Sequence, residues 1–252
     1  MGVLFFMFFC GSPFIALVVF PTLRLVSGKE AYRRRCTRLL YLGMALICWL
    51  GRGAGIWVFQ NPVLPPRVDP DQSYVLISNH PTFIDMIVLL GSIPRLTCVT
   101  SGRWSRHWAL GRLLRSTEYL PGPGSGRPES EDMLGSMVRH LQAGHSLLVF
   151  PEGQRSQKDQ LRRFRRGAFE AAAQANVPLV PLFLGIDRPY LTKEVSIWNP
   201  PTPSPEYTFD WFEVVEPAEY DNDGRRIHEH LVSQYRARFE EQRALQKSLA
   251  EG

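Results

Sequence analysis

A histidine and an aspartate five positions apart, His80 and Asp85, stand just past an apolar run, Tyr74-Val75-Leu76-Ile77-Ser78. An imidazole titrates near neutrality, and a carboxylate that accepts from one ring nitrogen leaves the other free to take a proton, as in a general base with its orienting group. Within one continuous helix a spacing of five turns the two side chains apart. Pro81 changes that expectation. Proline suits the first helical position, where a missing N–H is no loss, so His80 is expected on the corner before a helix, folded back towards Asp85. The same residues also fit a capping histidine beside a solvated aspartate, because paired titratable groups are often structural.

A second polar corner ends a second apolar run. Ser146-Leu147-Leu148-Val149-Phe150 leads into Pro151-Glu152-Gly153-Gln154-Arg155-Ser156. Pro151 and Gly153 fix a turn, and Glu152 and Arg155 set a carboxylate and a guanidinium at its tip. Two such corners in one domain are expected to share a crevice at the carboxyl ends of neighbouring strands.

Together these residues resemble the glycerolipid acyltransferases, the family of 1-acylglycerol-3-phosphate acyltransferase. Asn79-His80 with Asp85 is similar to that family's NHxxxxD motif, and Phe150-Pro151-Glu152-Gly153 with Arg155-Ser156 to its FPEGTRS motif. Val177-Pro178-Leu179-Val180-Pro181-Leu182 is similar to its third landmark, a proline-bearing apolar strand. Two motifs in the right order are far more specific than either alone. The resemblance implies catalysis by His80 and Asp85, with Asn79, Glu152, Gly153, Arg155 and Ser156 binding substrate. It further implies an acyl thioester, carried by acyl carrier protein or coenzyme A, as donor and a lysophospholipid as acceptor, with no metal and no resident cofactor. Gln154 stands where the family usually has threonine. Members acting on lysophosphatidic acid usually carry an arginine between the two corners, whereas Glu118-Tyr119-Leu120-Pro121-Gly122-Pro123-Gly124 has none, so ornithine-lipid-like or other lyso-lipids stay open as acceptors.

Acyl transfer requires a base, a place for the developing oxyanion and fixed positions for two amphiphiles. His80 supplies the base, and backbone N–H groups at one of the corners, near Gly153, are expected to face the oxyanion. No glycine-flanked elbow surrounds Ser78, so direct attack by the acceptor hydroxyl is favoured over a covalent serine route.

The elements that must hold these groups are legible in the same way. The 252 residues carry a net charge of +5, which points to an anionic partner, and the apolar amino end favours a lipid surface over nucleic acid. Cys10, Cys36, Cys48 and Cys98 lack the close spacing of a zinc site or a disulfide framework. From Val3 to Leu23 there is no charge; Arg24, Lys29, Arg33, Arg34, Arg35 and Arg38 follow, and a second apolar stretch runs from Leu39 to Phe59 with Arg52 inside it. Two full spans would place the basic connection and the remaining domain on opposite faces of a bilayer. Residues 1–60 are therefore expected to form a two-helix membrane anchor dipped into one leaflet, with the basic connection at cytoplasmic headgroups. One true span plus a buried helix is the alternative.

Beyond the prolines of Asn61 to Pro66, strand and helix alternate: Tyr74–Ser78, Phe83–Leu90, Leu96–Thr100, Trp104–Leu114, a Gly/Pro loop at Pro121–Pro128, Glu131–Ala143, the Leu147 strand, Arg166–Asn176 and the Val177 strand. The expected fold is α/β, a mostly parallel mixed sheet flanked by helices, over residues 61–252. Tyr207–Val215 reads as an edge strand and Arg225–Leu249 as a charged helix, neither with a chemical role. A non-catalytic module that binds a membrane surface is the competing reading from another class.

Overall fold

In the computed structural model, residues 11, 13–122, 133–156, 160–188 and 202–251 are described. Six strands form one sheet: β1 (Val75–Ser78), β2 (Leu96–Thr100), β3 (Leu120–Pro121), β4 (Ser146–Val149), β5 (Leu179–Ile186) and β6 (Tyr207–Trp211). Their order is β3-β2-β4-β1-β5-β6, and every pairing is parallel except β5 with β6. The expected mostly parallel mixed sheet is what forms.

β1 lies at the centre, buried along its whole length. Leu76 points to one face with Leu148, Val180 and Leu182, and Val75 and Ile77 to the other with Leu147, Leu179 and Phe183. A strand covered on both faces reads as an unbroken apolar run, which is why Val75-Leu76-Ile77 shows no alternation.

On the first face lie α1 (Phe20–Leu25), preceded by a π-helical stretch at Ile15–Val19, then α2 (Lys29–Gly53) and α3 (Asp85–Ser92). Gly91 lets α2 and α3 meet: a Cβ there would sit 2.8 Å from the Met44 backbone. Next come α4 (Gly102–Arg106) and α5 (Trp108–Arg115), where one helix was expected. His107 breaks it, extended at ψ 132 with Nδ1 accepting the Leu110 N–H, which caps the second piece. The other face carries α6 (Met133–Gln142), α7 (Gly167–Ala175) and α8 (Gly224–Glu251). The Tyr235 hydroxyl of α8 accepts the Leu182 N–H at 3.0 Å and lies 2.9 Å from the Ile77 carbonyl oxygen, pinning that helix to the sheet centre.

One expectation shifts. The basic residues from Lys29 to Arg38 do not form a connection between helices; they make up the first turns of the 25-residue α2. Among the described residues no helix is long and apolar enough to cross a membrane. Of the uncharged run from Val3 to Leu23, residues 3–10 and 12 lie outside the described residues, as do 123–128 of the Gly/Pro loop and 131–132 of the helix expected from Glu131.

Candidate active site

Strand register brings the two corners side by side. Ile77 pairs with Val149, so the chain leaves β1 at Asn79-His80 level with the place where it leaves β4 at Phe150-Pro151. The His80 ring consequently stacks on Phe150, centroids 4.1 Å apart and planes 18° apart. A parallel sheet delivers such neighbours at one end only, the carboxyl end, where crevices form.

His80 Nδ1 lies 2.9 Å from Asp85 Oδ2. Asp85 is fully buried, while the His80 side chain keeps 18 % of its exposure. The aspartate also accepts the Thr82 N–H at 2.7 Å and the Thr82 hydroxyl. These bonds explain a boundary that differs from expectation: the helix begins at Asp85 rather than at Pro81, because the carboxylate gathers the Pro81–Ile84 bend around itself. His80 still precedes the helix and folds back. With Asp85 accepting from Nδ1–H, the neutral ring carries its lone pair on Nε2.

Thr82 and Tyr207 were not singled out by the sequence. The Thr82 hydroxyl, buried, lies 3.0 Å from the Tyr207 hydroxyl of β6, so the line from the imidazole continues through Asp85 and Thr82 to the sheet edge. The signal was faint: a threonine two positions after a histidine is common, and Tyr207 is 125 residues away from it in the chain.

Glu152 joins the corners. Its Oε1 accepts the His80 N–H at 3.0 Å and the Ser156 hydroxyl at 2.7 Å, and its Oε2 accepts the Arg162 N–H at 3.1 Å. In return the Ser156 N–H donates to the His80 carbonyl at 2.7 Å. Burial pushes the Glu152 carboxyl above the ordinary glutamate value, opposed by the donors from Ser156, His80 and Arg162.

The other expected site residues fall in two places. Asn79 is buried, its amide donating to the Leu184 carbonyl at 2.9 Å and accepting the Leu184 N–H at 2.7 Å, so it splices the first corner onto β5. Gly153 turns at φ +70, in the left-handed region that glycine adopts freely, but its N–H closes the turn onto the Phe150 carbonyl at 2.9 Å. That N–H is spent within the turn. Arg155 lies partly exposed on the corner. The Arg165 guanidinium rests 3.3 Å from where a Gly153 Cβ would stand, and a cavity of about 440 Å³ opens among Glu152, Arg162, Arg163, Arg165 and His228. An arginine fork suits a phosphate, and several within one loop favour an anion.

Residues 61–185 match a family model described as Acyltransferase. Over 189 residues the chain is 28% identical to 1-acyl-sn-glycerol-3-phosphate acyltransferase alpha of Homo sapiens, a match covering 72% of this chain and 62% of that one. Over 111 residues it is 32% identical to 1-acyl-sn-glycerol-3-phosphate acyltransferase of Escherichia coli (strain K12), covering 43% and 45%. The chain thus spans less than two thirds of the length of these relatives. The crystal structure of the 1-acyl-sn-glycerophosphate acyltransferase from Thermotoga maritima superposes with a TM-score of 0.66 at 17% identity over 96% of this chain and 95% of that one, which shows a shared fold. With its histidine and glutamate–arginine corners meeting at one end of that fold, the chain belongs to the acyltransferase family that includes the 1-acyl-sn-glycerol-3-phosphate acyltransferases.

Proposed function

We propose that the chain moves a fatty acyl group from a thioester, on acyl carrier protein or coenzyme A, to the hydroxyl of a lyso-lipid such as 1-acylglycerol-3-phosphate. The observation that carries this reading is the His80–Asp85 pair, held beside the Glu152–Arg155 turn by two-way hydrogen bonds. Nε2 takes the acceptor's O–H proton as that oxygen attacks the thioester carbonyl. Collapse of the tetrahedral adduct expels the thiolate, which recovers the proton from Nε2–H, so the base is restored and no group stays on the protein. Asp85 keeps the ring oriented and stabilises the imidazolium formed in between. Glu152 and Ser156 serve by fixing the corner, and Asn79 by fixing the strand end. Arg155 holds the acceptor's phosphate.

The amino-terminal segment supports action at a membrane surface. Phe14, Leu17, Val18, Leu25 and Val26 are exposed, as are Leu42, Leu46 and Trp49 of α2. Exposed apolar side chains on neighbouring helices, close in sequence to arginines, suit insertion into one leaflet at the cytoplasmic face. An acceptor panel tests the whole reading. Purified protein is given an acyl thioester with 1-acylglycerol-3-phosphate, neutral lysophospholipids and an ornithine-type lyso-lipid, and products are read by mass spectrometry. Acylated product with a phosphate-bearing acceptor is expected; thioester consumption with none of them would sink the proposal.

A further inference from the structure

A groove that His80 does not line runs along the β3 edge of the sheet, with a volume of about 1,590 Å³. One wall is the first half of α2, the other the end of α6, and the floor is β3 with the ends of β2. Eight of the lining residues are lysine or arginine and two are glutamate. That excess is larger than the +5 of the whole chain, so the positive charge is concentrated here rather than spread over the surface. The walls are built: Arg33 donates twice to the Thr117 carbonyl, at 3.1 and 2.8 Å, and the Thr37 hydroxyl accepts the Glu118 N–H at 3.0 Å, tying α2 to the approach to β3. Arg34, Arg38 and Arg139 are exposed above that framework.

The direction of the groove distinguishes its partner. Leu42, Leu46 and Trp49 form one stripe of α2; at roughly 100° per residue Arg33 and Thr37 lie about 150–170° around the helix from it and Arg34 about 90°, with Arg38 about 50° away at the edge between the two. If the apolar stripe enters lipid, the groove opens sideways along the protein, towards solution. Thr100 and Pro121, at the carboxyl ends of β2 and β3, lie in the lining, so the groove reaches the same end of the sheet as His80. With strands ~4.8 Å apart, three spacings separate β3 from β1, roughly 14 Å, a gap that a flexible thioester arm bridges.

We infer that this groove docks an acidic acyl carrier protein, whose tethered thioester then crosses the strand ends to His80. This rests on the transferase reading for its purpose, but not for its test. The full chain is titrated with a purified acyl carrier protein of net negative charge, and the dissociation constant is compared for the wild type and Arg34→Glu/Arg139→Glu, one exposed arginine from each wall. At moderate ionic strength the variant should bind at least about tenfold more weakly, and the wild-type affinity should fall as salt rises. In turnover, KM for the carrier-bound thioester should rise in parallel while KM for acyl-pantetheine stays unchanged. Equal affinity of variant and wild type overturns the inference. So does an equal rise in KM for acyl-coenzyme A, which would mean that the groove reads nucleotide phosphates. Loss of sedimentation with phosphatidylglycerol vesicles in the variant, with carrier affinity intact, overturns it in favour of the membrane. Because binding is read directly, a chain that turns over no thioester would refute the transferase reading and leave the docking result to stand or fall alone.

Discussion

Removing the Glu152 carboxylate should lower turnover rather than weaken acceptor binding. Three partly buried donors converge on it: two on Oε1, from His80 and Ser156, and one on Oε2, from Arg162. Glu152→Gln retains one oxygen. Placed at the Oε1 position it keeps the His80 and Ser156 bonds and turns its NH₂ against the Arg162 N–H, leaving one donor unsatisfied at a cost of about 1–3 kcal/mol. Relief of the burial penalty on the charge offsets part of that, since burial already drives the carboxyl towards its neutral form. The glutamine variant should therefore lose a few degrees of Tm, at about 2–4 °C per kcal/mol for a chain of this size, and keep kcat within about tenfold. Glu152→Ala strands all three donors and releases the backbone of His80. A reacting group displaced by about 1 Å costs on the order of 100-fold, so kcat should fall by that much or more with little change in acceptor KM. Thiol release from an acyl thioester across acceptor concentrations separates the two constants. If Glu152→Ala raised acceptor KM at unchanged kcat, the residue would be touching substrate and the clasp would be the wrong account.

Four further outcomes follow from named contacts. Asp85→Asn should cut kcat by about 10²–10⁴-fold, because an amide no longer orients Nδ1–H or stabilises the imidazolium; activity within twofold would remove Asp85 from the mechanism. Tyr207→Phe, which deletes a hydroxyl 3.0 Å from Thr82, should leave KM alone and shift the acid limb of the kcat–pH profile; an unmoved profile would confine Tyr207 to packing. Ser156→Ala removes a donor that holds the Glu152 carboxyl down, so that pKa should rise further above the ordinary glutamate value in carbon-detected NMR, and a fall would reverse the assigned cause. A folded-state value above the unfolded one favours the fold below the ordinary glutamate pKa, and that contribution is lost as pH rises through the raised value. Burial lowers His140 to about 3, with His145 and Arg33 adding to it. The unfolded chain therefore binds a proton that the folded one refuses, and stability should fall by about 1.4 kcal/mol per pH unit below pH ~6.5, a slope that His140→Gln should remove.

Sequence and structure agree most closely where chemistry and backbone constraint coincide. The His80 corner and the Glu152 turn were legible because apolar runs, Pro81, Pro151 and Gly153 mark strand ends with few alternatives. Their side-by-side placement followed from parallel-sheet topology. The clasp was not legible, because whether a glutamate binds ligand or satisfies its neighbours' N–H groups depends on contacts 72 residues apart. Asn79 posed the same problem, with its partner 105 residues downstream. Tyr207 was read correctly as strand and missed as a partner of Thr82, since period-two patterning reports a face and not a neighbour. The Lys29–Arg38 cluster read as a connection between two helices because its charges adjoin apolar segments; in the fold these residues open α2 itself.

Single-turnover acylation of 1-acylglycerol-3-phosphate by wild type and His80→Ala, with equal circular dichroism and equal sedimentation with vesicles, bears most directly on the base. Product formation in the wild type and none above background in the variant, over the whole pH range, is the expected result. A variant that retains near-full turnover would show that the proton leaves by another route, and the orienting role of Asp85 and the positioning role of Glu152 would fall with it.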